Sequence, residues 1–322
     1  MKLKGKGGHG DVRTLTDKNG FFHEMKKNRV LYLMLLPGFI FLIINNYLPM
    51  FGIMIAFKKI HYSLGILSSP FVGFKNFEFL FASEDALIIL RNTLGYNLTF
   101  ILLDMVVPVA IAIGLNEIAF AKLKKTYQTL IFMPHFLSWV VVSVIGYAFM
   151  STESGLMNNV LFPFLGIDPI NFYQTKGIWP FLIVFFNIWK NSGYASVVYL
   201  AAITGIDSSL YEAARIDGAN KFQQIRHITI PEISGLVIMM MLLACGRIFT
   251  ADFGLFFQMP LDTGTLYPVT NVVSTYVYRA GLQNGNIEMS AAAGLLQSVV
   301  GLIMVLSMNF LVKKIDSEKS LF

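Results

Sequence analysis

Three ionisable side chains, Asp104, Lys190 and Arg247, lie inside long apolar runs of this chain. A charge at bilayer depth is costly and is kept where it faces a cavity, a partner or an interface. One use is a polar path for a solute. Asn187, Asn191 and Tyr194 of the run NIWKNSGY would then supply hydrogen bonds, Lys190 a positive charge, and Trp189 a flat stacking face. The other use is structural, with Asp104 neutralising Lys190 or the cationic chains snorkelling to an interface. The structural account is preferred for Arg247, and Lys190 and Asn191 stand open between the two. Bond-making chemistry lacks such a constellation. The sequence has no GxxxxGK[ST], no GxSxG and no paired-histidine metal motif. Gly5, Gly7 and Gly10 satisfy GxGxxG without a preceding strand, and His23 and Glu24 open an HExxH that position 27 fails to complete. No catalytic residue and no metal ligand is therefore assigned, and no cofactor is expected in this chain.

A second constellation runs from Ser209 to Pro231, SLYEAARIDGANKFQQIRHITIP. Ser209 with Glu212 fits a capping box, so a short helix is expected to start there. Gly218 suits the left-handed residue that ends it, and Asn220 with Gln223 is a weaker signal for a second helix. Pro231 suits the first turn of a further helix. Spacing alone describes a polar connection between two apolar segments.

The elements that must position these residues follow from composition. The chain has 322 residues, 55% of them hydrophobic and 14% charged. Its mean hydropathy is +0.61. This exceeds what a soluble core requires, and several runs reach the roughly 20 residues that a membrane helix needs. The formal charge of +6 is not gathered on a nucleic-acid-binding motif, so no nucleic acid partner is expected. Cys245, the single cysteine, sits in an apolar run and reads as packing, and His135 behind Pro134 reads as a hydrogen-bonded structural residue. Trp139 and Trp179 stand near span ends, where interfacial tryptophans are common.

Taken in order, a basic tail covers 1–29 and a six-helix membrane domain 30–312, with spans near 30–57, 87–115, 129–150, 178–203, 231–251 and 291–312. A second tail covers 313–322. The fold class expected is all-α. Seventeen lysines and arginines fall on the face carrying both tails and the loop 205–231, against five on the face carrying the loops 58–86, 151–177 and 252–290. The richer face is assigned to the cytoplasm, with both termini there and the three other loops outside.

Glu212, Ala213, Ala214, Gly218, Ile228 and Pro231 stand at the offsets of the EAA loop of ATP-binding-cassette (ABC) importer permeases, with Ile230 in place of the usual leucine. WKNSGY, YLAAI and the order of spans extend the match over most of the chain. The sequence resembles sugar-type, binding-protein-dependent ABC importer permeases, nearest to those for oligosaccharides and polysaccharide fragments. The resemblance implies a type I importer permease fold in a bacterial cytoplasmic membrane and half of a translocation path. It also implies a second homologous permease, two ABC ATPase subunits that bind ATP and Mg, an external solute-binding protein and a sugar substrate. Within it, Leu210, Glu212, Ala213, Ala214, Asp217, Gly218, Phe222, Ile228 and Pro231 would form the ATPase-coupling element. Glu212 could cap its helix or pair with a cation on the ATPase. A secondary transporter or channel, or an ABC permease for another solute, is the alternative reading.

Overall fold

The computed structural model describes Lys26 and residues 28–78 and 84–315. The rest of the N-terminal tail, residues 79–83 and residues 316–322 of the C-terminal tail lie outside the described residues. Two units make up the chain, 1–54 and 55–322. Among the described residues the structure is helical apart from an isolated bridge between Lys58 and Phe71.

In the first unit, α1 (Arg29–Leu42) carries Pro37 within it and buries no residue. It runs into a π-helical turn at Ile43–Tyr47. Asn45 folds its amide back onto the Phe41 carbonyl at 3.0 Å, which satisfies a polar group inside an apolar helix.

The second unit is built on α2 (Glu84–Glu117) and α5 (Trp179–Thr204), packed along each other. Around them lie α3 (Ala121–Phe132), α4 (Trp139–Met150), α8 (Ile230–Cys245) and α10 (Ile287–Ile315). One buried cluster, with Val142, Trp179, Ile183, Leu255, Phe256 and Met259, joins α4, α5 and the short α9 (Phe253–Gln258). Another joins Ala112 and Leu115 of α2, Tyr199 and Ile203 of α5, and Ile233 of α8. The indole N–H of Trp179 goes to the Phe172 carbonyl at 2.7 Å and that of Trp139 to Asp252 at 2.8 Å, so both tryptophans anchor inside the chain.

Among the described residues, four helical runs are long and apolar enough to cross a membrane, Arg29–Phe57, Asp85–Glu117, Lys221–Cys245 and Ile287–Lys314. A fifth is the bent pair Ala121–Phe136 and Trp139–Met150. The expected span 129–150 is therefore not one straight helix: its halves meet at 101°. Pro134 ends the first half and Ser138 caps the second, accepting from Val141 N at 3.3 Å. α5 has the length of a span, at 26 residues. Its polar NIWKNSGY run keeps it below the hydropathy of the others. The expected span 231–251 also changes: its helix begins at Lys221 and ends at Cys245, leaving 246–251 unwound.

Three of the four π-helical turns among the described residues, Ile43–Tyr47, Met157–Leu161 and Ile225–Thr229, each end two residues before a proline, Pro49, Pro163 and Pro231, while the fourth, Arg279–Gln283, has none. A proline cannot donate to the carbonyl four residues back, and its ring crowds that carbonyl. Widening the preceding turn to i→i+5 bonding relieves the crowding without ending the helix.

Segment 151–177 is folded around buried Asn158, which donates to the carbonyls of Ser151 and Ile170 and accepts from Ile170 N at 2.8 Å. Segment 252–290 contains α9 and the short helices Tyr267–Thr270 and Val273–Tyr278.

Candidate functional site

The first candidate surface is α6 (Ser208–Ile216), a nine-residue helix with no buried residue. Its cap differs from the sequence expectation. Asp207, not Ser209, is the N-cap and accepts from Ser209 N at 2.9 Å, so the Ser209–Glu212 capping box is not formed. Bonds from Ser209, its backbone N–H foremost, hold the Asp207 carboxyl below its ordinary range. Glu212 is exposed and makes no ion pair among the described residues. At the other end, Gly218 has φ +82°. Ala219 N bonds to Ala214 O at 2.9 Å and Gly218 N to Arg215 O at 3.1 Å, the paired bonds of a Schellman ending.

The weaker signal is the one fully realised. Asn220 accepts from Gln223 N at 2.9 Å, and Gln223 returns a bond to Asn220 N at 2.8 Å. The helix so started, α7 (Lys221–Gln224), does not stand apart. It passes through the π turn Ile225–Thr229 into α8, with Pro231 in the first α turn beyond. The expected pair of short helices is thus one short helix and the tip of a span. Cross-ties hold them together, Tyr211 with Thr229 at 2.9 Å and Gln224 to the Ala219 carbonyl at 2.9 Å, while Lys221 ties the tip to Glu117 of α2 at 2.7 Å.

Leu210, Ile216 and Phe222 are 43%, 87% and 69% exposed, which leaves an apolar surface uncovered by this chain. Ala214, Asp217, Gly218 and Ile228 line a shallow cavity of about 340 Å³ with His227 beside them. Ala213 lies exposed nearby. Ile216 was not among the expected residues, although an isoleucine between Arg215 and Asp217, at the last position before a turn, is the available sequence signal.

An added Cβ at Gly218 would meet nothing within 4 Å, so substitution there is opposed by backbone conformation alone. The left-handed region costs an L residue roughly 1–2 kcal/mol, and a β-branched one suffers most. Gly218→Val is therefore expected to loosen the turn, speeding amide hydrogen exchange at position 218 and at Ala219 while lowering the thermal midpoint of the purified chain by only a few degrees. Parental exchange rates at Ala219 would contradict this.

The second candidate is a cavity of about 330 Å³ lined by Asn97, Phe100, Ile101 and Asp104 of α2, Asn187 and Asn191 of α5, and the stretch around Arg247 and Asp252 that follows α8. Asn187 donates to both Asp104 oxygens, at 3.3 and 3.2 Å, and Asn191 donates to Asn187 Oδ1 at 3.0 Å. The expected Asp104–Lys190 pair is absent among the described residues. Lys190 is buried and donates to the His135 carbonyl at 2.9 Å, with its ammonium 5.3 Å from the Trp139 ring centre. That carbonyl would bond to residue 139 in a continuous helix, and the 101° break frees it. The lysine thus caps the bend. Tyr194 stacks on the His135 ring at 4.6 Å, and Trp189 packs edge-on against Phe186. Neither lines the cavity. The hydrogen bond expected for His135 is not seen at its buried Nδ1, which has no partner among the described residues, and the ring is held by stacking.

Long apolar helices around a polar cavity, joined at one end by an uncovered amphipathic helix, define a membrane transport component. Residues 107–317 match the family described as "Binding-protein-dependent transport system inner membrane component". The chain belongs to this family. It is 38% identical to the polygalacturonan/rhamnogalacturonan transport system permease protein YteP of Bacillus subtilis (strain 168), over 92% of this chain and 91% of that one. It is 36% identical to protein LplB of the same organism, over 96% of each chain. A chain of a bacterial ABC transporter that imports the acidic polysaccharide alginate has the same fold. It matches with a TM-score of 0.85 and 33% identity, covering 92% of this chain and 99% of that one. The fold is thus that of a type I ABC importer permease.

Proposed function

We propose that this chain is the permease subunit of an ATP-driven importer and forms half of the translocation path for a sugar or oligosaccharide, including polysaccharide fragments. The observation that carries the reading is α6, an amphipathic helix with no buried residue, tied to the tip of a membrane span. Such a helix suits a groove on a partner, with Leu210, Ile216 and Phe222 as anchors. The partners proposed are two ATPase subunits, which bind ATP and Mg, a second homologous permease, and an external solute-binding protein. Hydrolysis belongs to the ATPases, and this chain is non-catalytic. The sugar assignment draws on the relatives named for polygalacturonan, rhamnogalacturonan and alginate.

Six crossings are proposed, with α5 as the polar one, its amides facing the path. The asymmetry of seventeen basic residues against five supports cytoplasmic termini and a cytoplasmic α6. Affinity purification from the native membrane is expected to bring down a second permease and an ATPase. Reconstituted uptake is expected to require ATP and the binding protein together. Solute uptake by this chain alone, driven by an ion gradient, would replace the reading with a secondary transporter.

A further inference from the structure

Arg247 is the uncommitted cation of the 330 Å³ cavity. It lies just beyond the last turn of α8, and the backbone after it is fixed from three sides. Asn97 donates to the Ile248 carbonyl at 2.8 Å, Gln297 to that of Phe249 at 2.7 Å, and Ser274 to that of Ala251 at 2.8 Å. The Arg247 side chain is exposed, and among the described residues its guanidinium enters no ion pair and no side-chain hydrogen bond.

The acids that share the cavity are engaged elsewhere. Asp104 takes the Asn187 amide on both oxygens. Asp252 takes the Trp139 indole at 2.8 Å and caps α9 through Gly254 N at 2.8 Å. Lys190 of α5 is turned to the bend, and Arg91 of α2 is bonded to Asn92 and the Pro268 carbonyl. The C-terminal end of α8 favours a positive charge beside it but uses none of the guanidinium donors.

We propose that Arg247 determines specificity in this cavity by receiving the carboxylate of an acidic oligosaccharide, a chain that contains uronic acid units. The inference rests on the sugar-permease reading above and adds the charge of the solute. A guanidinium presents donors in a planar fork that matches a carboxylate with two parallel bonds. Asn191, which spends only one donor on Asn187, offers the rest of its amide to a hydroxyl alongside. A neutral sugar would leave the cation uncompensated at bilayer depth, whereas a uronate supplies its counter-charge.

The test uses the assembled transporter, purified in detergent without its binding protein, so that selection by that protein does not mask the permease. Equilibrium binding of radiolabelled trigalacturonate and of its methyl ester, the same sugar without charge, is measured for the parent, Arg247→Lys and Arg247→Gln. Arg247→Gln is expected to bind the acid about tenfold or more weakly. Arg247→Lys should keep most of that binding, and the ester should be indifferent to either change. Equal loss for acid and ester, or no loss for either, would overturn the proposal. So would a fall in the amount of assembled complex that tracks removal of the charge, since the counter-charge would then come from a partner subunit. Uptake in proteoliposomes with the binding protein separates the two readings. If the parent carries sugars but Arg247→Gln takes up the acid as well as the parent does, only the present inference fails. If the parent carries no sugar, the reading beneath it fails as well.

Discussion

Replacing Gly193 with alanine is expected to lower the stability of the second unit strongly, and leucine should abolish the folded protein. A Cβ at this position of α5 would stand 2.0 Å from the Ile131 carbonyl oxygen and 2.6 Å from its carbon, at the end of α3. The obstacle is backbone, so no rotamer change relieves it, and the helices must move apart. Overpacking of this kind costs roughly 1–3 kcal/mol per site and more when backbone is the neighbour. That is a large share of a total stability of about 5–15 kcal/mol. The separation would also pull Lys190, three residues earlier, from the carbonyl it caps at the bend. Gly114→Ala in α2 is the matched control, because nothing lies within 4 Å of its added methyl. There alanine should be neutral or gain up to about 1 kcal/mol from helix propensity. Thermal unfolding of the purified chain checks the pair, and similar midpoints for Gly193→Ala and Gly114→Ala would contradict the close approach.

The double substitution Ile216→Asp with Phe222→Asp is expected to act in the opposite way, sparing the fold and removing the partner. Both side chains stand largely in solvent, at 87% and 69% exposed, so charges there disturb no core. Burying one large apolar side chain contributes roughly 1.5–3 kcal/mol. Two anchors together therefore carry about 3–6 kcal/mol of docking, or at least a hundredfold in affinity. The ATPase should be lost on purification and coupled transport should fall to background, while the thermal midpoint stays near the parental value. Parental ATPase stoichiometry in the double variant would remove α6 from the docking surface.

What the sequence revealed of this surface was local. The Schellman turn at Gly218 needs only a glycine after a short helix, and the Asn220–Gln223 box needs only its two residues three apart. The cap of α6 was misplaced because Asp and Ser have nearly equal capping preference. Asp207 and Ser209 therefore compete on even terms until the backbone chooses. The bend at 137–138 escaped for another reason: the apolar run continues across it, and only Pro134 and Ser138 mark it. The cavity was legible as a stripe but not as an assignment. Asn187, Lys190, Asn191 and Tyr194 stand at i, i+3, i+4 and i+7, one helical face. Which of them meets α2 and which meets the broken span depends on neighbours far along the chain. For that reason the structural part falls to Lys190, which the sequence left open, while Arg247, for which the structural account was preferred, lines the cavity.

The π turn before Pro231 also sets a phase. A helix advances about 100° per residue, and one additional residue in a single turn displaces every later side chain around the axis by about that angle. Counted from Lys221 in plain α geometry, the residues of α8 would be assigned to the wrong meridians. The face that α8 turns to Tyr199 and Ile203 through Ile233 is therefore a product of the wide turn. So is the bearing at which the chain leaves Cys245 and delivers Arg247. Proline here acts as an indexing tooth, clocking the far end of a membrane helix relative to the short helix at its foot.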